Sequence, residues 1–152
     1  MRLAAGLCLF TLCTTSSYPA ERATPTLCGA DETPLFSCTV DFNHAVGGKL
    51  LGGKKTVSVC ASPDLSSSSG YIKYLFGRSK QNVELTYPTD TQHPGQRFKF
   101  FRDGSAKSSV EQLSFSNGVF SYIVFVERAV FEWNGSGVLV KKGGRGGCLF
   151  PV

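Results

Sequence analysis

The sequence predicts an all-β domain, either a small antiparallel β-barrel or a two-sheet β-sandwich, held by disulfides. Three observations predict it. Short runs alternate apolar and polar residues at a period of two. Asn-Gly pairs stand between such runs, as in tight hairpins. The composition favours strands over helices, with 12 Phe and 17 Gly against a single Met. A chain of 152 residues suffices for one domain and is short for two. With 41% hydrophobic and 18% charged residues, wholesale disorder is excluded.

Taken in order, residues 1–20 read as a secretory signal peptide. Arg2 supplies a positive end, Leu3–Cys13 an apolar run too short to span a bilayer, and small or polar residues follow. Cleavage after Ser16 or Ser17 leaves small residues at both key positions, whereas cleavage after Ala20 puts Tyr18 at −3. Lipid attachment at Cys13 is disfavoured by the bulk of Leu12. Residues 21–33 read as a loose polar arm, and residues 34–152 as a single β domain with no transmembrane segment.

Within the domain, Leu35–Asp41 and Lys55–Cys60 alternate as strands, and residues 42–54 read as a glycine-rich loop between them. Residues 62–70 form a serine-rich loop. "YIKYLF" places Ile72, Tyr74 and Phe76 on one side, and "NVELTY" sets Val83, Leu85 and Tyr87 against a wet face before Pro88 stops it. "RFKFF" is expected to bury Phe98 and Phe100. Asn117-Gly118 predicts a two-residue turn that sets Phe115 opposite Phe120 and Leu113 opposite Tyr122. The strand after it is apolar on both faces and is expected to be central. Asn134-Gly135 predicts a second tight turn, with Phe131 opposite Val138. "KKGGRGG" (141–147) reads as a flexible basic loop. The total is about nine or ten strands.

Removing the signal peptide leaves Cys28, Cys38, Cys60 and Cys148. An even number of cysteines in an exported chain predicts two disulfides. Alternation places Cys38 on the apolar face of its strand with Phe36 and Val40. It places Cys60 on the opposite face from Val57 and Val59. A Cys38–Cys60 bond is therefore disfavoured, leaving Cys28–Cys60 with Cys38–Cys148, or Cys28–Cys38 with Cys60–Cys148.

"FSC" (36–38), "VSVCAS" (57–62), "GYIKYLFG" (70–77) and "SFSNG" (114–118), with one late cysteine, resemble pieces of small exported bacterial proteins of unknown function. The resemblance spans most of residues 27–148 and implies architecture, with no catalytic residue attached. At the level of fold alone, the chain is also similar to periplasmic lysozyme inhibitors, which are small disulfide-bearing β-barrels.

The chemistry-bearing residues suggest no catalytic site. His44, His93 and the cysteines lack metal-ligand spacing, so no metal and no cofactor are expected. No G-x-S-x-G elbow occurs; His93 sits beside Pro94-Gly95, within reach of Asp90. Glu84, Glu111, Glu127, Glu132, Asp41 and Asp103 are scattered. Arg97, Lys99 and Arg102 among Phe98, Phe100 and Phe101 superficially resemble a nucleic-acid strand, but alternation accounts for the rings as core. Asn134-Gly135-Ser136 is a glycosylation sequon that serves equally as a turn. Lys49, Leu50 and Leu51, between two Gly pairs, are the candidate partner contact.

The expectation is an exported, non-enzymatic binding or interaction protein of the cell envelope or secreted space. Its partner would be a protein or, given the net charge of +5, an anionic envelope polymer, with no nucleic acid. Lysozyme inhibition is its sharpest version. The alternatives are an enzyme acting on an envelope polymer and a structural envelope component.

Overall fold

The structure is a computed structural model. It describes residues 25–46, 49–91, 93–130, 134–143 and 145–151, with side chains described outside 42–46, 49–52, 96 and 145–151. The predicted signal peptide, residues 1–20, lies outside the described residues.

Nine strands and one turn of 3₁₀ helix make up the described residues. The strands are β1 (Thr33–Val46), β2 (Lys49–Ala61), β3 (Ile72–Ser79), β4 (Asn82–Tyr87), β5 (Lys99–Gly104), β6 (Ser108–Asn117), β7 (Phe120–Ala129), β8 (Gly135–Lys142) and β9 (Arg145–Pro151). They form two antiparallel sheets, ordered β1-β2-β3-β4 and β5-β6-β7-β8-β9. The sheets stay open and pack together, so the fold is the sandwich of the two expected architectures. β7 is the middle strand of its sheet, as its two apolar faces require, with Val124 and Phe125 both buried.

One face of each sheet builds the core. Cys38, Val40, Val57, Val59 and Tyr74 come from the first sheet; Phe115, Val124 and Val138 come from the second, with Phe98 just before β5. Phe115 is at the centre. Its ring stacks on Tyr122 at 4.8 Å and on Tyr87 at 4.5 Å, and meets Tyr74 at 5.0 Å and Phe98 at 5.4 Å. Ile72 and Phe76 line the same side, as their alternation with Tyr74 predicts.

Several expectations are corrected. The first hairpin turns on Gly118-Val119, one residue later than predicted. Gly118 takes φ +60°, the value a type II′ turn needs at its first central position. Asn117 then pairs Phe120, Phe115 pairs Tyr122 and Leu113 pairs Val124. The inward stripe is kept because the shift between pairs is an even number of residues. The second hairpin has no tight turn at Asn134-Gly135. Val138 pairs Val124, and Asn134 Oδ1 instead accepts the Ala129 N–H at 2.6 Å; the predicted Phe131 pairing falls outside the described residues. The stretch 141–147 is not a loop throughout: Lys141 and Lys142 end β8, Gly143 follows with φ +55°, and Arg145, Gly146 and Gly147 begin β9. Val83 leaves the core side and packs with Leu75 on the other face, next to the register irregularity at Gly77. Residues 42–54 are not a loop: the β1–β2 ladder runs on to Val46↔Lys49.

Phe98 is buried as expected, but Phe100 is 68% exposed. The physical reason is a mismatch in width. Five strands face four, and β5 overhangs with all six positions exposed. Period-two patterning finds which face a residue occupies, not whether another sheet lies over it.

Burial pushes the Cys38 thiol up to about 12, and raises the Tyr74 phenol above its ordinary value, aided by Tyr122 and Cys38. Both groups stay protonated in the fold after the unfolded chain has begun to ionise, so the native state holds more protons and stability falls as pH rises. In reduced protein, unfolding free energies from urea titration should decline from about pH 9, where Cys38 would ionise in the unfolded chain, and more steeply above about pH 10 as Tyr74 joins, by roughly 1.4 kcal/mol per pH unit per group. A flat profile to pH 11 would contradict this burial. Phe115→Ala should cost about 3–5 kcal/mol in the same assay at pH 7.

Candidate interaction surface

The outer face of the first sheet carries Ser58, Cys60 and Leu75, side chains that alternate with the core row. Residues 25–32 cover them. The part of the predicted loose arm that the structure describes is therefore fastened: Leu27 and Cys28 are buried against Cys60, Leu75 and Val83. Cys28 is bonded to Cys60, with Cα atoms 5.5 Å apart. Cys38 and Cys60 indeed point to opposite sides of the sheet, one in each apolar cluster.

Hydrogen bonds fasten the same segment. The fully buried Ser58 Oγ accepts the Leu27 N–H at 2.9 Å and lies 2.9 Å from Ser37 Oγ. Ser37 Oγ donates to the Pro25 carbonyl at 2.6 Å. Glu32 accepts the Gly29 N–H at 2.8 Å and the Tyr71 hydroxyl at 3.0 Å, with Lys73 Nζ at 3.7 Å. The hydrogen bond to Glu32 raises the Tyr71 phenol above its ordinary value. Cys28, Glu32 and Cys60 hold their ligand atoms within 4.8 Å of one another. A metal would need both thiolates, and the disulfide takes both sulfurs. This corner is a structural clasp.

The remaining polar candidates are spread out. Asp90 accepts from Arg97 at 2.6 Å, whereas His93 caps the 3₁₀ turn, accepting the Gly95 N–H at 3.3 Å, and its other ring nitrogen lies 3.3 Å from the Ser66 carbonyl. Glu84 binds Lys55 at 2.6 Å and Glu111 meets Arg102 at 3.4 Å. An open groove of about 320 Å³ runs between the β5–β6 turn and the end of β7, past Asp103, Ser105, Ser109, Glu127 and Arg128.

Two features offer surface to a partner. The first is the far part of the β1–β2 hairpin. β3 pairs β2 only as far as Thr56↔Gly77, so the pairs from Val40↔Lys55 to Val46↔Lys49 form a two-stranded ribbon about 20 Å long. Gly53 lies within it, opposite Phe42, at φ +143°, a conformation that side chains avoid. Lys49, Leu50 and Leu51 pair Val46, Ala45 and His44 in this ribbon; their side chains lie outside the described residues. The second feature is β5. Phe100 and Phe101 point to opposite faces of one end strand, 68% and 53% exposed, with Lys99 and Arg102 beside them. The sequence contained this signal as "RFKFF", which two-sided burial or two-sided exposure explains equally well.

The class so defined is a disulfide-clasped β-sandwich with one overhanging strand. No protein-family model, no curated protein and no solved structure matches the chain. Among the described residues, no helix is long and apolar enough to cross a membrane.

The clasp closes a loop of 32 residues, which the chain-entropy relation values at about 3–4 kcal/mol. Replacing Cys28 and Cys60 together by Ala should lower unfolding free energy by about that amount while far-ultraviolet circular dichroism keeps its β signature. A change below about 1 kcal/mol would mean that the hydrogen bonds around Ser58 hold the arm without the disulfide.

Proposed function

We propose that this is an exported, non-enzymatic binding protein of the cell envelope or secreted space, in which the sandwich is a scaffold. The overhanging strand β5 carries this reading. An end strand presents unpaired backbone N–H and C=O groups to any extended segment that can align with it. Phe100 and Phe101 would anchor such a segment from both faces, since exposed aromatics supply contact area and hot spots. Lys99, Arg102 and Asp103 make this edge charged, with Arg102 paired to Glu111, and charges on an edge strand deter pairing with a second copy. The partner is thus an extended segment of another protein, and the β1–β2 ribbon with Lys49, Leu50 and Leu51 is a second arm for contact. The Cys28–Cys60 bond supports export, because oxidising compartments maintain such bonds.

Phe100→Ser/Phe101→Ser tests the reading. Both residues are exposed, so the double variant should unfold within about 0.5 kcal/mol of the parent. Immobilised parent should retain a partner from the extracytoplasmic fraction that the variant holds at least tenfold more weakly. Equal retention by both proteins would remove β5 from the site. Retention of an anionic polymer alone, abolished by moderate salt, would replace the protein partner by an envelope polymer.

A further inference from the structure

Cys28 and Cys60 are bonded to each other, and Cys38 is left with a buried free thiol in the core. The fourth cysteine, Cys148, lies on β9, opposite Val140 of β8. β1 and β9 are the end strands of their two sheets, at the same side of the sandwich, and they touch. We propose that Cys38 and Cys148 form a second disulfide, which ties these two end strands together across the core.

The placement follows from the ring contacts. Tyr74 on β3 lies 5.7 Å from Tyr122 on β7, which fixes one point where the two sheets superimpose. Two strands along the first sheet, through Val59, the row of Tyr74 reaches Phe36 on β1. Two strands along the second sheet, through Val140, the row of Tyr122 reaches Cys148 on β9. Aligned sandwiches cross their strands at about 30°. Over two strand spacings, about 10 Å, that angle shifts one row against the other by about one inward-facing step. The step from Phe36 along β1 is Cys38. The Cys38 thiol also acts electrostatically on the Tyr74 phenol, which sets it on the side toward that point. On the second sheet, Tyr122 and Val140 both pack against the core, and paired residues share a face, so the register position of Cys148 belongs to the core face.

The chemistry is thiol–disulfide exchange. The Cys148 thiolate attacks a disulfide oxidant, either a low-molecular-weight disulfide or an oxidised dithiol protein, and releases one oxidant thiol. The Cys38 thiolate then attacks the mixed disulfide at the Cys148 sulfur and expels the second oxidant thiol. Two protein thiols lose two protons and two electrons, and the oxidant becomes a dithiol. Burial holds the Cys38 thiol protonated, so the bond closes while β9 is docking, before the core seals.

The full chain, refolded from reduced, denatured protein in a glutathione redox buffer, tests this wherever the protein resides. Digestion without reduction should yield the Cys38 and Cys148 peptides joined, two hydrogens lighter than their sum. In the Cys28→Ser/Cys60→Ser variant the joined peptide should persist. Cys148→Ser should leave Cys38 open to alkylation in denaturant and lower the thermal midpoint by about 10 °C. Alkylation of both Cys38 and Cys148 in denatured, unreduced parent protein would overturn the proposal. Bonding of either to Cys8, Cys13 or a second chain would overturn it equally.

Discussion

The fold depends on the packing of aromatic rings where the two sheets meet. Phe115 projects from β6 into a cage of Tyr74, Tyr87, Phe98 and Tyr122, and these rings come from both layers. An open sandwich has no continuous ladder between its sheets, so side-chain burial must hold them in register. Large flat rings do this at low entropic cost and with defined geometry. The smaller residues around them, Val40, Val57, Val59 and Val138, fill the remaining space to near-complete burial. The placement of the other elements follows from this plane: the clasp on its far side, the ribbon beyond its end, and β5 past its edge.

Much of this was legible in the sequence, because the side-chain period of a strand is a local property. The core rows through Ile72, Tyr74 and Phe76, and through Leu113, Phe115, Tyr122 and Val124, could be read directly. So could the opposite senses of Cys38 and Cys60, which the two separate clusters bear out. What was not legible needed non-local knowledge. Whether Gly118 takes the first or second place of its turn depends on which cross-strand pairs pack best, and the Phe115–Tyr122 stack decides it. The exposure of Phe100 depends on how many strands the opposite sheet has. The fastening of residues 25–32 depends on Ser58 and Leu75, far away in sequence, offering a partner and a seat. A glycine-rich segment such as 42–54 read as a loop because glycine weakens strands in isolation, yet the ladder continues through Gly52 and Gly53.

The division of labour in the molecule is spatial. Apolar packing occupies the middle, polar bonds and the Cys28–Cys60 clasp occupy one outer face, and exposed aromatic and basic residues occupy the opposite sheet's edge. Stability and recognition therefore draw on different residues. Such a layout suits a scaffold, since edge side chains can vary without disturbing the ring cage.

The fold takes hold of its N-terminal segment at Pro25, whose carbonyl accepts the Ser37 hydroxyl, and at Leu27 and Cys28 just after it. A backbone cut between Cys28 and Cys60 would therefore release nothing, because the two pieces stay covalently joined through their sulfurs until that bond is reduced.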